Sequence, residues 1–404
     1  MIQPTTWTVP DHVPEDRVVD FDFMNPPNAV NDVHLAWKKL HEGPDIVWSP
    51  YNGGHWIATR ADDIEAIQKD HQRFSHAQVN VPPSQDLPLV PLELDPPEHT
   101  GYRALIAPAF LPQAIAELED DIRALTVELI EGFAEKGGCE FVSEFAKMLP
   151  IVIFLRLVNL PQEDRLELLE MTELAVRGSV DERHRSQQML AGYIGKWIEA
   201  RRRDPGADLI SRIVNAKVNG EPIAPERMFG LLTVVIFGGL DTVAAMMSFI
   251  CRFLAEHPAE RKRLVEQPAL ILTAVDELIR RHGVTNTARV VVEDVQFNGV
   301  TLKQGDQIQV PNALFGLDER RFNNPMMVDL ERKPVLHAAF GNGPHRCPGS
   351  FLARIEIKVF LQEWLKRIPD FETVPADPPR CASGMVNGLL YLPLRWQVAG
   401  GRMK

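Results

Sequence analysis

"FGNGPHRCPG", residues 340–349, is the stretch that decides the fold. Three glycines, two prolines, a histidine and an arginine surround one cysteine, Cys347. Because glycine lacks a Cβ, the backbone of such a loop can lie close against a flat ligand. A thiolate beside a metal loses its proton outright. The stretch therefore indicates a metal-ligating thiolate held against a flat cofactor. The alternative, an inert cysteine in a turn, leaves the glycines unexplained.

A second pattern, "FGGLDT", residues 237–242, lies inside a long apolar helical segment. Two adjacent glycines in a helix interior cost about 1 kcal/mol each relative to alanine, so the site indicates a kink or a close ligand. Asp241 and Thr242 then place an acid and a hydroxyl in apolar surroundings. The threonine could bond back along its own helix, or the pair could relay protons. Both readings stay open on the residues alone.

A third pattern, "ELIR", places Glu277 and Arg280 three residues apart on one helical face, where they can pair. Such pairs are common and usually solvated. A later arginine, Arg332 in "VDLERK", could complete a buried network with them.

Composition bounds the class of protein. The chain has 404 residues, 45% of them apolar, and a formal net charge of -12, which argues against general nucleic-acid or anionic-membrane binding. The N-terminus does not resemble a signal peptide, and no apolar run approaches a membrane span in length. We therefore expect a soluble cytoplasmic protein. The cysteines, Cys139, Cys251, Cys347 and Cys381, form no C-x-x-C pair, which speaks against a zinc ribbon or dithiol site.

The order of elements indicates a mainly α fold with a smaller β portion. A hairpin is predicted over 46–59, around Asn52-Gly53-Gly54, and a short helix follows at "ADDIEAIQKD". The apolar, proline-rich segment 80–97 is predicted to be a lid or pocket wall. Helical periodicity dominates 98–254, short strands follow, and a final helix comes after Cys347. Since no linker or repeat interrupts the chain, residues 1–404 are predicted to form a single domain.

Together these motifs identify a resemblance. The hairpin, "DPPEHTGYR", "FGGLDT", "ELIR", "GLDERRFNNP" and "FGNGPHRCPG" follow one another in the order found in cytochromes P450, the haem-thiolate monooxygenases. The resemblance covers nearly the whole chain and implies the triangular P450 fold. It also implies a non-covalent haem b (heme b, iron protoporphyrin IX), whose thiolate ligation favours O–O cleavage.

Residue by residue, the resemblance makes Cys347 the axial ligand of the haem iron. The positions that bind haem propionates fall on His99, Arg103, Arg289 and His345, and Phe340 and Gly341 belong to the same cofactor contact. Gly238 and Gly239 would open the helix for O2, while Thr242 and Asp241 would handle protons during catalysis. Glu277, Arg280 and Arg332 match the structural ion network of the family.

Within the family, "GLLTVVIFGGLDTV", "GDQI" and "GLDER" are most similar to the bacterial camphor hydroxylases. These receive electrons from NADH through a flavoprotein reductase and a 2Fe-2S ferredoxin. A basic proximal face at Arg103, Arg346 and Arg354 would suit an acidic ferredoxin, and it is equally consistent with ordinary solvated charge.

The sequence differs from those relatives in the loop that would contact the substrate. Camphor hydroxylases bond the substrate ketone with a tyrosine in the loop before "DPPE", but residues 80–98 contain no tyrosine, tryptophan or phenylalanine. Camphor is therefore a doubtful best substrate, and a cyclic terpenoid or norisoprenoid, such as an ionone-like ring, is favoured. Camphor hydroxylation proper, a peroxide-using enzyme and a haem sensor remain the alternatives. By alignment the pocket would be lined by Leu87, Leu89, Leu92, Val234, Phe237, Thr285, Met385 and Val386.

Overall fold

The computed structural model describes residues 8–83, 88–177 and 180–398. Helices hold 51% of it and strands 13%, so the predicted mainly α class is confirmed. Its α-helices are α1 (Val33–Lys38), α2 (Ala61–Lys69), α3 (Glu98–Ile106), α4 (Pro112–Ala116), α5 (Glu119–Ala134), α6 (Met148–Leu157), α7 (Arg165–Arg177), α8 (Val180–Arg203), α9 (Leu209–Val214), α10 (Pro225–Gly238), α11 (Asp241–Glu256), α12 (Pro258–Glu266), α13 (Ile271–Arg281), α14 (Asn312–Gly316) and α15 (Ser350–Arg367).

The strands are short and form several small sheets. They are β1 (Ile46–Ser49), β2 (His55–Ala58), β3 (Phe74–Ser75), β4 (Gly138–Glu140), β5 (Lys217–Val218), β6 (Glu221–Pro222), β7 (Asn286–Val291), β8 (Val295–Phe297), β9 (Val300–Leu302), β10 (Gln307–Pro311), β11 (Glu372–Thr373), β12 (Arg380–Ala382), β13 (Gly388–Tyr391) and β14 (Pro393–Arg395). The main sheet has the order β1-β2-β10-β7-β3. Only its β2–β10 pair is parallel.

The predicted hairpin is the β1–β2 pair, in which Val47 lies opposite Ile57. Its turn places Asn52, Gly53 and Gly54 in succession at positive φ, between 53° and 96°. Glycine and asparagine tolerate this region better than other residues. The turn chemistry therefore explains why the strands reverse there.

The long helical segment predicted through "FGGLDT", with a kink or a close ligand at its glycines, is two helices. α10 ends at Gly238 and α11 begins at Asp241, with Gly239 and Leu240 between them. The glycine pair thus breaks the helix, as its low helix propensity favours. The combined segment Pro225–Glu256 has the length and composition of a membrane span, contrary to the sequence expectation. Because 72% of its most apolar window is buried inside the protein, it serves here as a core helix.

The apolar core is continuous from the N-terminal sheet to β14. Its most aromatic part holds α15, the helix that follows the Cys347 stretch. Trp364 of α15 is fully buried and lies edge-on to Phe141, Phe145 and Phe360. This packing anchors the C-terminal end of the stretch that carries Cys347.

Candidate active site

Residues 340–349, called the cysteine loop from here on, form a tight turn ahead of α15. The Cys347 N–H donates to the Phe340 carbonyl at 2.8 Å, and the Gly341 N–H donates to Ala338 at 2.8 Å. Gly341 and Gly343 have φ of +69° and +68°. A Cβ on Gly343 would lie 2.8 Å from the backbone oxygen of Gln68. Both glycines are therefore required by backbone geometry, and the second also by close approach to α2.

The thiol of Cys347 is partly exposed and strongly influenced by burial. Its side chain is half-buried, yet burial raises the pKa of its thiol. The Gly349 N–H, together with Arg103, Arg354 and Arg346, acts in the opposite direction and lowers that pKa. These groups would stabilise a thiolate as soon as a metal cation faces the sulfur.

A group of buried donors, called the donor pocket from here on, surrounds His345. Its ring lies 4.2 Å from the His99 ring and stacks at 3.3 Å on the ring of His76. His76, His99 and Arg289 are at most 4% exposed. His76 and His345 each leave Nε2 without a hydrogen-bond partner, His99 leaves both ring nitrogens, and Arg289 leaves Nε. Four side chains thus direct unpaired buried nitrogens into one region.

The unpaired buried donors of the donor pocket favour an anionic ligand. Burial lowers the pKa of Arg289 to about 9 and that of His345 to about 2, and it also lowers the pKa values of His76 and His99. Asp95 is the carboxylate that opposes these shifts at Arg289 and His99, and it already accepts bonds from Ser75 and the His76 N–H. Buried donors left unpaired cost free energy. A ligand with two carboxylates, as haem has, fits this donor set.

The break between α10 and α11 contains the acid and hydroxyl. The Thr242 hydroxyl donates to the Gly238 carbonyl at 3.2 Å, so it bonds back along the helix and spans the break. Asp241 is 8% exposed and begins α11. Gly238 is exposed although α10 is a core helix, and a Cβ there would meet no atom within 4 Å. The break therefore opens onto free space.

Glu277, Arg280 and Arg332 lie in one buried network. Arg280 forms a two-pronged ion pair with Glu277, at 2.7 and 2.8 Å, and both side chains are fully buried. Arg332 donates to the same carboxylate at 3.0 Å. Arg280 also donates to backbone carbonyls of 316, 325 and 327. The network thus ties α13 to the segment that leads into the cysteine loop.

The residues expected around the substrate are called the pocket wall from here on, and those that the structure describes are half-buried and apolar apart from one hydroxyl. Leu87 lies outside the described residues. The others are half-buried, as expected of side chains that border a cavity: Leu89, Leu92, Val234, Phe237, Thr285, Met385 and Val386. Thr285 and Val386 pair as an isolated antiparallel bridge, and the Asn286 N–H donates to the Met385 carbonyl at 2.8 Å. The structure therefore brings the last three together.

The described part of the proline-rich segment packs on α10. Glu93 accepts the Leu89 N–H at 2.9 Å and the Val79 N–H at 3.2 Å. A Cβ on Gly230 of α10 would overlap the Pro88 carbonyl oxygen and lie 3.2 Å from the Val90 nitrogen. Gly230 therefore lets the segment lie directly against the helix that carries Val234 and Phe237.

The predicted basic face is smaller than expected. Arg354 pairs with Asp276 at 2.7 Å and stacks on Phe340. Arg103 is half-buried and donates to the Arg346 carbonyl. Of the three arginines, only Arg346 is exposed, and it forms no ion pair within the described part of the chain. Burial and pairing thus remove two of the three charges from a docking surface.

Sequence reasoning missed three residues around the site. His76 follows β3 in "RFSHAQ" and carries no motif, so only its stacking on His345 reveals it. Gly230 is one more glycine in an apolar helix. Glu356 of α15 is 1% exposed, and burial raises the pKa of its carboxyl to about 8. Its place among apolar residues in "ARIEIKVF" was the available signal.

Comparison with known proteins gives a consistent result. Residues 265–398 match the family model described as cytochrome P450. The chain is 33% identical over 400 residues to probable cytochrome P450 127A1 of Sinorhizobium fredii, covering 96% of this chain and 97% of that relative. It is 28% identical to linalool 8-monooxygenase of Pseudomonas putida, over 92% of this chain and 97% of that relative. The crystal structure of cytochrome P450 CYP101C1 superposes with a TM-score of 0.89 at 39% identity, covering 97% of this chain and 100% of that one.

Proposed function

The chain belongs to the cytochrome P450 family and is a haem b monooxygenase, and on that premise we propose that it hydroxylates a hydrophobic cyclic terpenoid or norisoprenoid. One oxygen atom of O2 enters a C–H bond of the substrate. The other leaves as water, with two electrons and two protons supplied. The observation that carries the substrate class is the pocket wall, whose described members are apolar apart from Thr285.

The haem, when bound, supplies the oxygen-activating iron. We infer that the Cys347 thiolate would hold the iron and that Phe340 and Gly341 would contact the haem. The unpaired nitrogens of His99, Arg289 and His345 support their assignment to the propionates. We add His76 to this set, and place Arg103 at the edge of the haem, next to the cysteine loop.

The helix break has a defined proton geometry. Because the Thr242 hydroxyl donates its own proton to Gly238, its oxygen is left to accept a hydrogen bond. We infer that it holds a water whose proton is delivered to oxygen, and that Asp241 resupplies that proton from the far side. Gly238 and Gly239 leave the space for O2 and this water.

The size and shape of the wall favour a ring system. Phe237 and Met385 are bulky, and methionine adapts its shape to an irregular ligand. One relative is a linalool 8-monooxygenase, which supports the terpenoid class. The absence of an aromatic hydroxyl over residues 80–98 disfavours camphor as the best substrate.

We further infer that electrons arrive from NADH through a flavoprotein reductase and a 2Fe-2S ferredoxin. Arg346 supplies an exposed positive charge, and Phe351, 47% exposed, supplies an apolar contact at the start of α15. A single arginine makes electrostatic steering modest, so the docking should depend only weakly on salt. We also propose that the enzyme works in the cytoplasm. The continuous apolar core supports a single domain.

A spectral screen tests the substrate class. Cyclic terpenoids and norisoprenoids, with camphor as the internal control, would be titrated against the ferric enzyme while the low-to-high-spin shift is recorded. We expect ionone-like rings to convert the spin state more completely than camphor does. Tight camphor binding with full conversion would contradict the proposal.

A further inference from the structure

A chain of side-chain amides joins the cysteine loop to the pocket wall. Asn342 Nδ2 donates to Gln68 Oε1 at 2.9 Å, and Gln68 Nε2 donates to Asn312 Oδ1 at 2.7 Å. Asn312 Nδ2 then donates to Thr285 Oγ1 at 2.6 Å. Gln68 and Asn312 are 2% and 6% exposed. Bulk water therefore offers these two amides no competing partners.

The hydrogen bonds along this series of amides all run in one direction, from Asn342 to Thr285. Each amide accepts through its oxygen from the preceding residue and donates through its NH2 to the next, because an amide nitrogen cannot accept. The direction ends at Thr285, whose oxygen accepts from Asn312. The Asn312 backbone N–H also donates to the Thr285 carbonyl at 2.9 Å. Two bonds from Asn312 thus hold the backbone of Thr285 and make its hydroxyl oxygen an acceptor.

The proton of the Thr285 hydroxyl takes no part in the bond to Asn312. A hydroxyl that accepts from one partner has its O–H left to donate, and within the described ranges no protein acceptor takes the Thr285 proton. Thr285 is half-buried and bridged to Val386. The proton is thus left to be donated to a ligand bound against the pocket wall.

We propose that this amide relay makes Thr285 a hydrogen-bond donor toward the substrate, so that the pocket selects a ring system that carries an acceptor oxygen, such as a ketone. The inference rests on the proposed function and narrows its substrate class. Thr285 contacts the substrate, while Asn312, Gln68 and Asn342 are positioning residues. The donor lies just before β7 and is positioned by Asn312 of α14, so a tyrosine in the proline-rich segment is not needed to orient a ketone.

The experiment uses three probes with the same ring: β-ionone, the corresponding alcohol β-ionol, and the hydrocarbon without the oxygen. Dissociation constants are measured from the spin-state shift of the haem-loaded enzyme. The parent should bind the ketone about tenfold more tightly than the hydrocarbon, since one buried neutral hydrogen bond supplies that much. Thr285→Val should abolish the ratio, and Thr285→Ser should keep it.

The variant Asn312→Asp tests whether the amide relay orients the Thr285 hydroxyl. The aspartate still accepts from Gln68 but offers no NH2, so the Thr285 hydroxyl turns to donate to it and presents only an acceptor to the substrate. We expect the preference to move from ketone to alcohol, which a purely structural role would not produce. Thr126→Val, which removes a fully buried hydroxyl from α5, is the matched control and should leave all ratios unchanged.

The outcomes separate the two proposals. Equal binding of ketone and hydrocarbon by the parent, or an unchanged ratio in Thr285→Val, overturns the donor role alone. A parent that prefers the alcohol shows that the relay runs in the opposite direction and also overturns it. If none of the three probes shifts the spin state of an enzyme that forms the reduced CO band of its family, the proposed substrate class fails, and this inference fails with it.

Discussion

The cysteine loop and the pocket wall are held by different kinds of force. In the cysteine loop, positive φ angles and close backbone approach restrict individual positions to glycine, and nearby charges are buried in fixed pairs. The pocket wall consists of half-buried apolar side chains whose volumes could be exchanged. Packing tolerates substitutions of similar volume, whereas backbone strain and unpaired buried charge do not. The cofactor side therefore has few allowed sequences and the substrate side has many.

Thr285 is the point where the two regions meet. Its hydroxyl belongs to the pocket wall, but the amides that orient it lead back to Asn342, which lies between two glycines at positive φ. The rigid cysteine loop thus restrains one position of the pocket wall, whose other positions can vary. The predictions below test the strength of this contrast.

The largest effect is expected from Glu277→Gln. It leaves the fully buried Arg280 guanidinium without its charge partner, and breaking a buried pair costs about 3–5 kcal/mol. We expect the free energy of unfolding to fall by that amount and the purified protein to retain less haem. Chemical denaturation and haem content measure both.

Glu331→Gln is the control for this change. Glu331 pairs with Arg263 on the surface, where the two side chains are 67% and 44% exposed. Exposed pairs contribute about 1 kcal/mol or less. Similar losses in the two variants would show that the network does not hold the cysteine loop as described.

Acidification should lower the free energy of unfolding through His55 of the main sheet, and much less through His345 of the donor pocket. Burial lowers the pKa of His55 from 6.5 to about 4. The unfolded chain then binds more protons between these values, so the stability is complete above pH 6.5 and falls as the pH drops below it. One such histidine costs about 1.4 kcal/mol per pH unit in that window. Haem propionates beside His345 would instead raise its pKa and reduce its contribution.

The measurement is the unfolding free energy of the haem-loaded enzyme between pH 7 and pH 5. His55→Gln should flatten the acid loss by roughly that slope, while His345→Gln should flatten it much less. An equal effect of both variants would mean that no carboxylate reaches His345, and the propionate assignment would then be wrong.

Thr242→Ala should uncouple the reaction. The alanine cannot hold the water that we place at the helix break, so reduced oxygen should leave as hydrogen peroxide. With one neutral hydrogen bond lost, product formed per NADH should fall by roughly tenfold, while substrate binding is unchanged. Peroxide and product assays give the ratio, and Thr242→Ser should restore most of it. Unchanged coupling in Thr242→Ala would remove the proton role.

Much of the contrast between the cysteine loop and the pocket wall could be predicted from the sequence, because glycine and proline act through the backbone. "FGNGPHRCPG" predicts a strained loop at Cys347, "FGGLDT" predicts the helix break, and Asn52-Gly53-Gly54 predicts the hairpin. What remained hidden depends on tertiary proximity. No local pattern in "RFSHAQ" places His76 on His345, and nothing around Gln68 or Asn312 indicates that their amides meet. Burial of Arg103 and pairing of Arg354 likewise depend on where α3 and α13 pack.

The smallest effect, and the finest test of the cysteine loop, is expected at Pro348. Proline offers no N–H, so the sulfur receives its backbone bond from Gly349. Pro348→Leu restores an N–H beside Cys347, and a further donor stabilises electron density on the sulfur and makes it a weaker electron donor to the iron. A hydrogen bond of about 1 kcal/mol corresponds to roughly 40 mV, so the haem reduction potential should rise by up to that amount. Val386→Ala, a change of similar size in the pocket wall, should leave the potential of the substrate-free enzyme unchanged. A potential that stays constant or falls in Pro348→Leu would show that the proline is kept for the shape of the loop and not for the sulfur.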